Sequence, residues 1–76
     1  MALSAAQCRE ARALLNWTKE RLALESESAP KTVHRFEANT RAPQFATLQR
    51  IKQTLAGAGV EFIAENGGTG GVRLRK

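Results

Sequence analysis

The sequence predicts a small, mainly α-helical domain of four helices that ends in a short β-hairpin. Up to Gly57, apolar residues recur at intervals of three and four, which is the period of an amphipathic helix. From Val60 onward, apolar and polar residues alternate, which is the period of a strand. A chain of 76 residues has room for one modest core, so no second domain is expected beside it.

The first two helices are marked by their N-terminal caps. Ser4 and Gln7 have the spacing of a capping box, which predicts that the first helix begins here. Thr18 is expected to cap a second helix over residues 19–25, with Trp17 packing beside the cap. The predicted buried face of the first helix consists of Cys8, Ala11, Leu14 and Leu15.

A third helix is predicted over residues 30–38. Pro30 suits its first turn, where a missing N–H costs nothing. Val33 and Phe36 form its buried stripe, and Asn39 follows as a left-handed C-cap. The opposite side of this helix then presents Lys31, Thr32, His34 and Arg35.

The fourth helix is predicted over residues 44–56 and the hairpin over residues 60–76. Gly57 and Gly59 end the helix, whose expected apolar face is Phe45, Leu48, Ile51 and Leu55. Residues 66–71 are the expected hairpin loop.

Both faces of the first strand carry apolar side chains, which favours packing against the helices on one face and against a second copy of the chain on the other. A hairpin folded only on its own monomer is the alternative. The predicted dimerisation residues are Val60, Phe62, Ile63, Val72 and Leu74.

Composition favours an anionic partner and gives no sign of catalysis. The net charge is +5 with a pI near 10.4, and five basic residues face one acid between Ser28 and Gly59. One Cys, one His and no Asp leave too few groups for a nucleophile with a base, and neither a metal site nor a cofactor is expected. No apolar run reaches the length of a membrane span and no signal-peptide pattern is seen, so the cytoplasm is the expected compartment.

A helix, a short corner and a second helix at a steep angle form a helix-turn-helix motif. The run ARALLNWTKERLALESESAPKTVHRFEANTRAP, followed by TLQRIKQTLAGAGVEF, resembles the Xre/Cro/C1 family of helix-turn-helix DNA-binding regulators. The resemblance covers roughly residues 5–65 and implies a lambda-repressor-like domain over residues 1–59. Ala23 matches a family position where two helices cross closely.

Two further features of this resemblance concern the turn at residues 27–29 and the carboxylate of Glu37. The chain has Glu27, Ser28 and Ala29 where the family usually has Gly, an apolar residue and Ser or Thr. This departure predicts either a wider turn or a different start of the third helix. Glu37 matches a family carboxylate, which we interpret as a surface charge or an intramolecular ion pair.

The resemblance also implies a DNA-binding surface. The family's first reading position in the second helix falls on Lys19, and its major-groove positions fall on Pro30, Lys31, Thr32, His34 and Arg35. Thr18, Arg41 and Gln44 lie near helix N-termini and are expected at phosphates. Arg35 and Lys31 can donate to guanine, whereas His34 is either a DNA contact or a solvated residue.

The implied function is sequence-specific binding of double-stranded DNA by a homodimeric transcriptional regulator on an inverted repeat. The alternative is a protein-interaction module on the same fold, such as an antitoxin or an anti-activator, that works through the hairpin. Strong salt dependence of DNA affinity would favour the first function, and DNA-independent binding to a protein partner would favour the second.

Overall fold

The computed structural model describes residues 3–63 and 71–75. Its elements in chain order are α1 (Ala5–Leu15), α2 (Lys19–Glu25), α3 (Pro30–Glu37), α4 (Phe45–Gly57), β1 (Val60–Ile63) and β2 (Gly71–Leu74). The two strands are antiparallel, with Val60 opposite Leu74 and Phe62 opposite Val72. The mainly α fold class with a C-terminal hairpin is therefore confirmed. The expected loop over residues 66–71 lies outside the described residues except for Gly71, which belongs to β2.

The predicted N-terminal caps of α1 and α2 are both present. The Ser4 hydroxyl accepts from the backbone N–H of Gln7 at 3.0 Å, and the Gln7 side chain accepts from the backbone N–H of Ser4 at 2.9 Å. The Thr18 hydroxyl accepts from the backbone N–H of Arg21 at 3.0 Å. Each bond satisfies an N–H group that the helix itself leaves open, which fixes where the helix begins.

Three of the helices end at a residue in the left-handed conformation. These residues are Asn16 (φ 62°), Glu27 (φ 57°) and Asn39 (φ 60°), which follow α1, α2 and α3. After α2, the N–H of Ser28 donates to the carbonyl of Ala23 at 2.9 Å, and equivalent bonds close the ends of α1 and α3. This is the Schellman arrangement, which reverses the chain within a few residues. The left-handed cap predicted at Asn39 is confirmed.

The core lies where all four helices and the hairpin meet. Ala23 is 1% exposed, as expected for a small residue at a close helix crossing. Trp17 is half-buried against the core, and the Arg21 guanidinium lies 4.9 Å from its ring centroid. Within the described ranges, no helix is long and apolar enough to cross a membrane. The buried apolar residues are Leu3, Ala5, Cys8, Ala11, Leu22, Ala23, Val33, Phe36, Ile51, Leu55 and Val60.

Two residues predicted on buried helix faces are exposed. Phe45 is 70% exposed, because it is the first residue of α4 and the fully buried Ile51 and Leu55 lie more than one turn further along that helix. Leu14 is 40% exposed, because it lies near the end of α1, beside the open groove that it lines with Leu74 of β2. In both cases the helical period was right, and the core ended before the apolar stripe did.

Candidate nucleic-acid interface

Helix α3 is anchored by one face and presents the other to solvent. Val33 is fully buried and Phe36 is 7% exposed, so these two side chains fix the rotation of the helix about its axis. Lys31, His34 and Arg35 are consequently exposed, and Thr32 is half-buried. This is the outward side that the helical period predicted.

Behind α3, Glu37 is held in a buried polar cluster. Its side chain is 1% exposed. Arg12 donates to both carboxylate oxygens, from Nη2 at 2.6 Å and from Nε at 2.7 Å. The Cys8 thiol donates to Glu37 Oε2 at 3.2 Å, and Arg9 donates to the Glu37 backbone carbonyl. Glu37 therefore forms an intramolecular ion pair that ties the end of α3 to α1, and its interpretation as a surface charge was wrong.

The protonation states in this cluster follow from its contacts. Burial by itself would raise the pKa of Glu37, but the hydrogen bonds from Arg12 and Cys8 outweigh burial and lower the pKa. Burial, followed by the hydrogen bond to Glu37, raises the pKa of the Cys8 thiol far above its ordinary value. Cys8 is therefore a protonated, fully buried hydrogen-bond donor, which is the opposite of a reactive thiolate.

The corner between α2 and α3 is held mainly by bonds to backbone carbonyls. Ser26 is buried, and its hydroxyl donates to the Leu22 carbonyl at 2.7 Å. From α4, Arg50 Nε donates to the Ser26 carbonyl at 2.7 Å. Glu27 takes the left-handed conformation, which glycine adopts most readily, and α3 begins at Pro30 as predicted. Residues 26–29 therefore join α2 to α3, and the expectation of a wider turn than in the family stays a prediction.

Four of the predicted DNA-binding residues meet around one open cleft of about 280 Å³. Thr32 and Arg35 come from α3, Arg41 comes from the following loop, and Gln44 is the N-cap of α4. The Gln44 side chain makes no capping hydrogen bond, so the first-turn N–H groups of α4 remain open to an anion. The complete lining is Thr32, Arg35, Arg41, Ala42, Pro43, Gln44 and Thr47.

The two arginines of this cleft differ from all the other arginines of the chain. Within residues 3–63 and 71–75, neither Arg35 nor Arg41 donates a side-chain hydrogen bond or forms an ion pair. The other six arginines all donate to a carboxylate or to a backbone carbonyl; they are Arg9, Arg12, Arg21, Arg50, Arg73 and Arg75. Within the described residues, the cleft is thus where the arginines without a hydrogen-bond or ion-pair partner lie.

The remaining predicted DNA-binding residues lie outside the cleft. Pro30 and Lys31 are exposed in the first turn of α3, and Lys19 opens α2. The hydroxyl of Thr18 is already engaged as the α2 cap. His34 is neither isolated nor merely solvated, because its Nε2 lies 2.9 Å from Glu20 Oε2.

Three residues of this surface were not predicted from the sequence. Glu20 pairs with His34 across 14 positions, a contact that no local pattern signals. Thr47 lines the cleft from α4, and Phe45 stands exposed next to the cleft residue Gln44. A signal for Phe45 existed, since it lies in the first turn of the predicted helix over residues 44–56, ahead of the apolar residues further along that helix.

The predicted dimerisation residues divide into a buried one and a partly exposed set. Val60 is fully buried in the core of its own chain, so it offers no surface to a second copy in this conformation. Phe62, Ile63 and Val72 are half-buried, and Leu74 is 40% exposed. An apolar groove of about 520 Å³ lies beside them, lined by Leu14, Leu15, Ala58, Gly59, Leu74 and Arg75.

Comparison with known families identifies the module that these helices form. A family model described as helix-turn-helix matches residues 9–56, which is more than half of the chain. The match runs from the middle of α1 through α2 and α3 to the penultimate residue of α4. No curated protein gives a significant match to the sequence. The chain belongs to the Cro/C1-type helix-turn-helix family, whose members are DNA-binding regulators.

Proposed function

We propose that this chain is a transcriptional regulator that binds specific double-stranded DNA sequences with α3 in the major groove. Lys31, Thr32 and Arg35 face the base edges, and Arg41 with Gln44 receives a backbone phosphate at the start of α4. Pro30 offers only an apolar contact, and Thr18 and Lys19 approach a phosphate or base edge from α2. The chain binds as a homodimer to an inverted repeat, with the two copies of α3 about one helical turn, roughly 34 Å, apart.

The observation that supports this proposal is that Arg35 and Arg41 have no hydrogen-bond or ion-pair partner within the described residues. Every other arginine has a hydrogen-bond partner within the described residues. Because Arg35 and Arg41 have none, their guanidinium groups are available to bind an external anion. Guanidinium groups pair with phosphate and with guanine in a bidentate way. Thr32, Gln44 and Thr47 add neutral polar groups around the same cleft.

The hairpin is proposed as the dimer contact. Ile63, Val72 and Leu74 keep exposed apolar surface, while Phe62 is partly covered by the Lys52 ammonium, 5.7 Å from its ring centroid. Val60 supports the hairpin from inside the monomer and is not part of the proposed contact. Sedimentation of wild type beside Leu74→Glu tests the contact: a dimer that dissociates in the variant supports it, and equal masses contradict it.

The experiment for the DNA-binding function is a salt titration of affinity. Wild type, Arg41→Ala and the double variant Arg35→Ala, Arg41→Ala are compared on duplexes that wild type selects from a random pool. Because each lost phosphate contact reduces the slope of log affinity against log salt by about 0.9, Arg41→Ala should lower the slope by about 0.9, and the double variant should show the same loss. It should also relax base preference at the position that Arg35 reads.

Arg73→Ala is the matched control for this titration. It removes the same charge from β2, where Arg73 is paired with Glu61, and among the described residues β2 and α3 share no extensive contact. If Arg73→Ala lowers the slope as much as Arg41→Ala does, binding depends on net charge only and the assignment of the cleft is wrong.

The apolar groove beside Leu74 supports a second candidate function. A groove of about 520 Å³ between α1 and β2 is a surface that a protein partner could occupy, as expected of an antitoxin or an anti-activator on this fold. This alternative is favoured if wild type selects no duplex and a protein partner binds in the absence of DNA. Loss of that partner in Leu14→Glu would locate its contact in the groove.

A further inference from the structure

One polar contact joins the outward side of α3 to the first turn of α2. His34 Nε2 and Glu20 Oε2 are 2.9 Å apart. The contact lies at the surface, since the side chain of His34 is 46% exposed and that of Glu20 is 66% exposed. Glu20 therefore orients the imidazole of His34, which is on the side of α3 proposed to enter the major groove.

The chemistry of this contact fixes the direction of its hydrogen bond. Hydrogen bonds from the backbone N–H of Glu20 and from His34 lower the pKa of Glu20, so this side chain is a carboxylate at neutral pH. A carboxylate only accepts hydrogen bonds. The shared hydrogen is therefore on His34 Nε2, and in the neutral imidazole Nδ1 is then an acceptor without a proton.

We propose that Glu20 holds neutral His34 as the Nε2–H tautomer, so that Nδ1 accepts a hydrogen bond from the exocyclic amino group of cytosine or adenine. His34 Nδ1 has no hydrogen-bond partner in the part of the chain that the structure describes. In the major groove only cytosine N4 and adenine N6 are donors, whereas guanine and thymine present acceptors there. His34 is thus a residue that determines specificity, and Glu20 is its positioning residue. This inference rests on the proposed function, because it requires α3 in the major groove.

The first test measures the tautomer in the free protein. Long-range proton–nitrogen NMR of the imidazole is recorded at a pH above which its chemical shifts no longer change, so that neutral rings are observed. Wild type should show the proton on Nε2. Glu20→Gln should shift the population toward the other tautomer, because an amide can also donate. Glu25→Gln is the matched control, since it removes the same charge from an exposed glutamate of α2 that pairs with Arg21 instead.

The second test measures base preference at the same pH. Wild type, His34→Ala, Glu20→Gln and Glu25→Gln each select duplexes from a random pool. Wild type should prefer cytosine or adenine at one position of each half-site by several-fold, on the order of one hydrogen bond. His34→Ala should abolish the preference at that position only, Glu20→Gln should weaken it, and Glu25→Gln should retain it.

The outcomes separate this inference from the function on which it rests. If wild type selects no duplex, the proposed function fails and the base-reading role fails with it. If wild type selects a motif that His34→Ala reproduces at every position, the function stands and the role of His34 is refuted. A proton on Nδ1 in wild type, or a tautomer that Glu20→Gln leaves unchanged, overturns the positioning role of Glu20.

Discussion

Arginines lie in opposite electrostatic environments on the two sides of α3. On the side facing α1, Arg12 and Glu37 neutralise each other in a nearly dry cluster, with side chains 16% and 1% exposed. On the outward side, Arg35 and Arg41 meet no carboxylate within the described residues. Arginine therefore serves two purposes in this chain. Arg12 stabilises the position of α3, and Arg35 and Arg41 provide charge for a partner.

The largest expected loss of stability comes from removing Arg12 from its buried ion pair with Glu37. Arg12→Ala leaves the Glu37 carboxylate buried without its main donor, which costs about 3 to 5 kcal/mol in free energy of unfolding. Urea denaturation followed by circular dichroism measures the loss. Arg12→Met with Glu37→Leu is the control, because replacing both charges by apolar side chains of similar size is often nearly neutral. Equal losses in the single and double variants would show that lost packing, and not the unpaired charge, is responsible.

Lowering the pH should weaken the ion pair between Glu37 and Arg12, which ties α3 to α1. The pKa of Glu37 is lower in the folded chain than in the unfolded one, so its contribution is fully present above the ordinary glutamate pKa of about 4.3. This contribution is lost as the pH falls through the lower folded pKa. The free energy of unfolding should therefore decline below about pH 5 more steeply in wild type than in Glu37→Gln. Parallel curves would contradict a lowered pKa at Glu37.

Glu27→Gly should stabilise the corner by about 1 kcal/mol. A side chain in the left-handed conformation costs roughly 1 to 2 kcal/mol, and part of the gain is offset by the greater freedom of glycine in the unfolded chain. Asn39→Gly, at an equivalent helix end, is the comparison variant and should gain less, since asparagine tolerates this conformation. Thermal unfolding of both variants measures the difference. A destabilised Glu27→Gly would mean that Glu27 makes a favourable interaction at the corner.

The smallest stability effect is expected on the outward side. Arg35→Ala and Phe45→Ala should each change the free energy of unfolding by no more than about 0.5 kcal/mol, because both side chains are exposed and neither makes a polar contact within the described ranges. Chemical denaturation of these variants beside Arg12→Ala completes the comparison. If Arg35→Ala lowers the free energy of unfolding by several kcal/mol, the outward side of α3 contributes to stability and the contrast with Arg12 is wrong.

Local features of this fold were predictable because the rules that govern them act over a few residues. The Ser4 and Thr18 caps, the start of α3 at Pro30 and the left-handed Asn39 all follow from spacings of four residues or less. The outward side of α3 followed from its helical period. The exposed Phe45 was not predicted, because periodicity gives the direction of a side chain and does not show how far along a helix the core extends.

The composition of the site depended on contacts that sequence spacing does not reveal. Glu37 meets Arg12 and Cys8 across 25 and 29 positions. The sequence offered eight arginines, and their number and order do not show which of them find a hydrogen-bond partner. Spacing alone suggests the pair of Arg21 with Glu25, four positions apart in α2. The folded structure gives partners to five others and leaves Arg35 and Arg41 together at one cleft. The nine predicted DNA-binding residues and the dimer contact stay predictions until the binding experiments are done.

The corner described above has a consequence for how such a protein can change its target. Its angle is set by bonds to backbone carbonyls, from Ser28 to Ala23 and from Arg50 to Ser26, and by the buried Ser26 hydroxyl. Lys31 and Arg35 take no part in those bonds. Mutations at these two positions can therefore accumulate without disturbing the scaffold, so that new operator preferences can evolve on an unchanged fold. His34 is the exception: because it is linked to Glu20, we expect substitutions at these two positions to occur together.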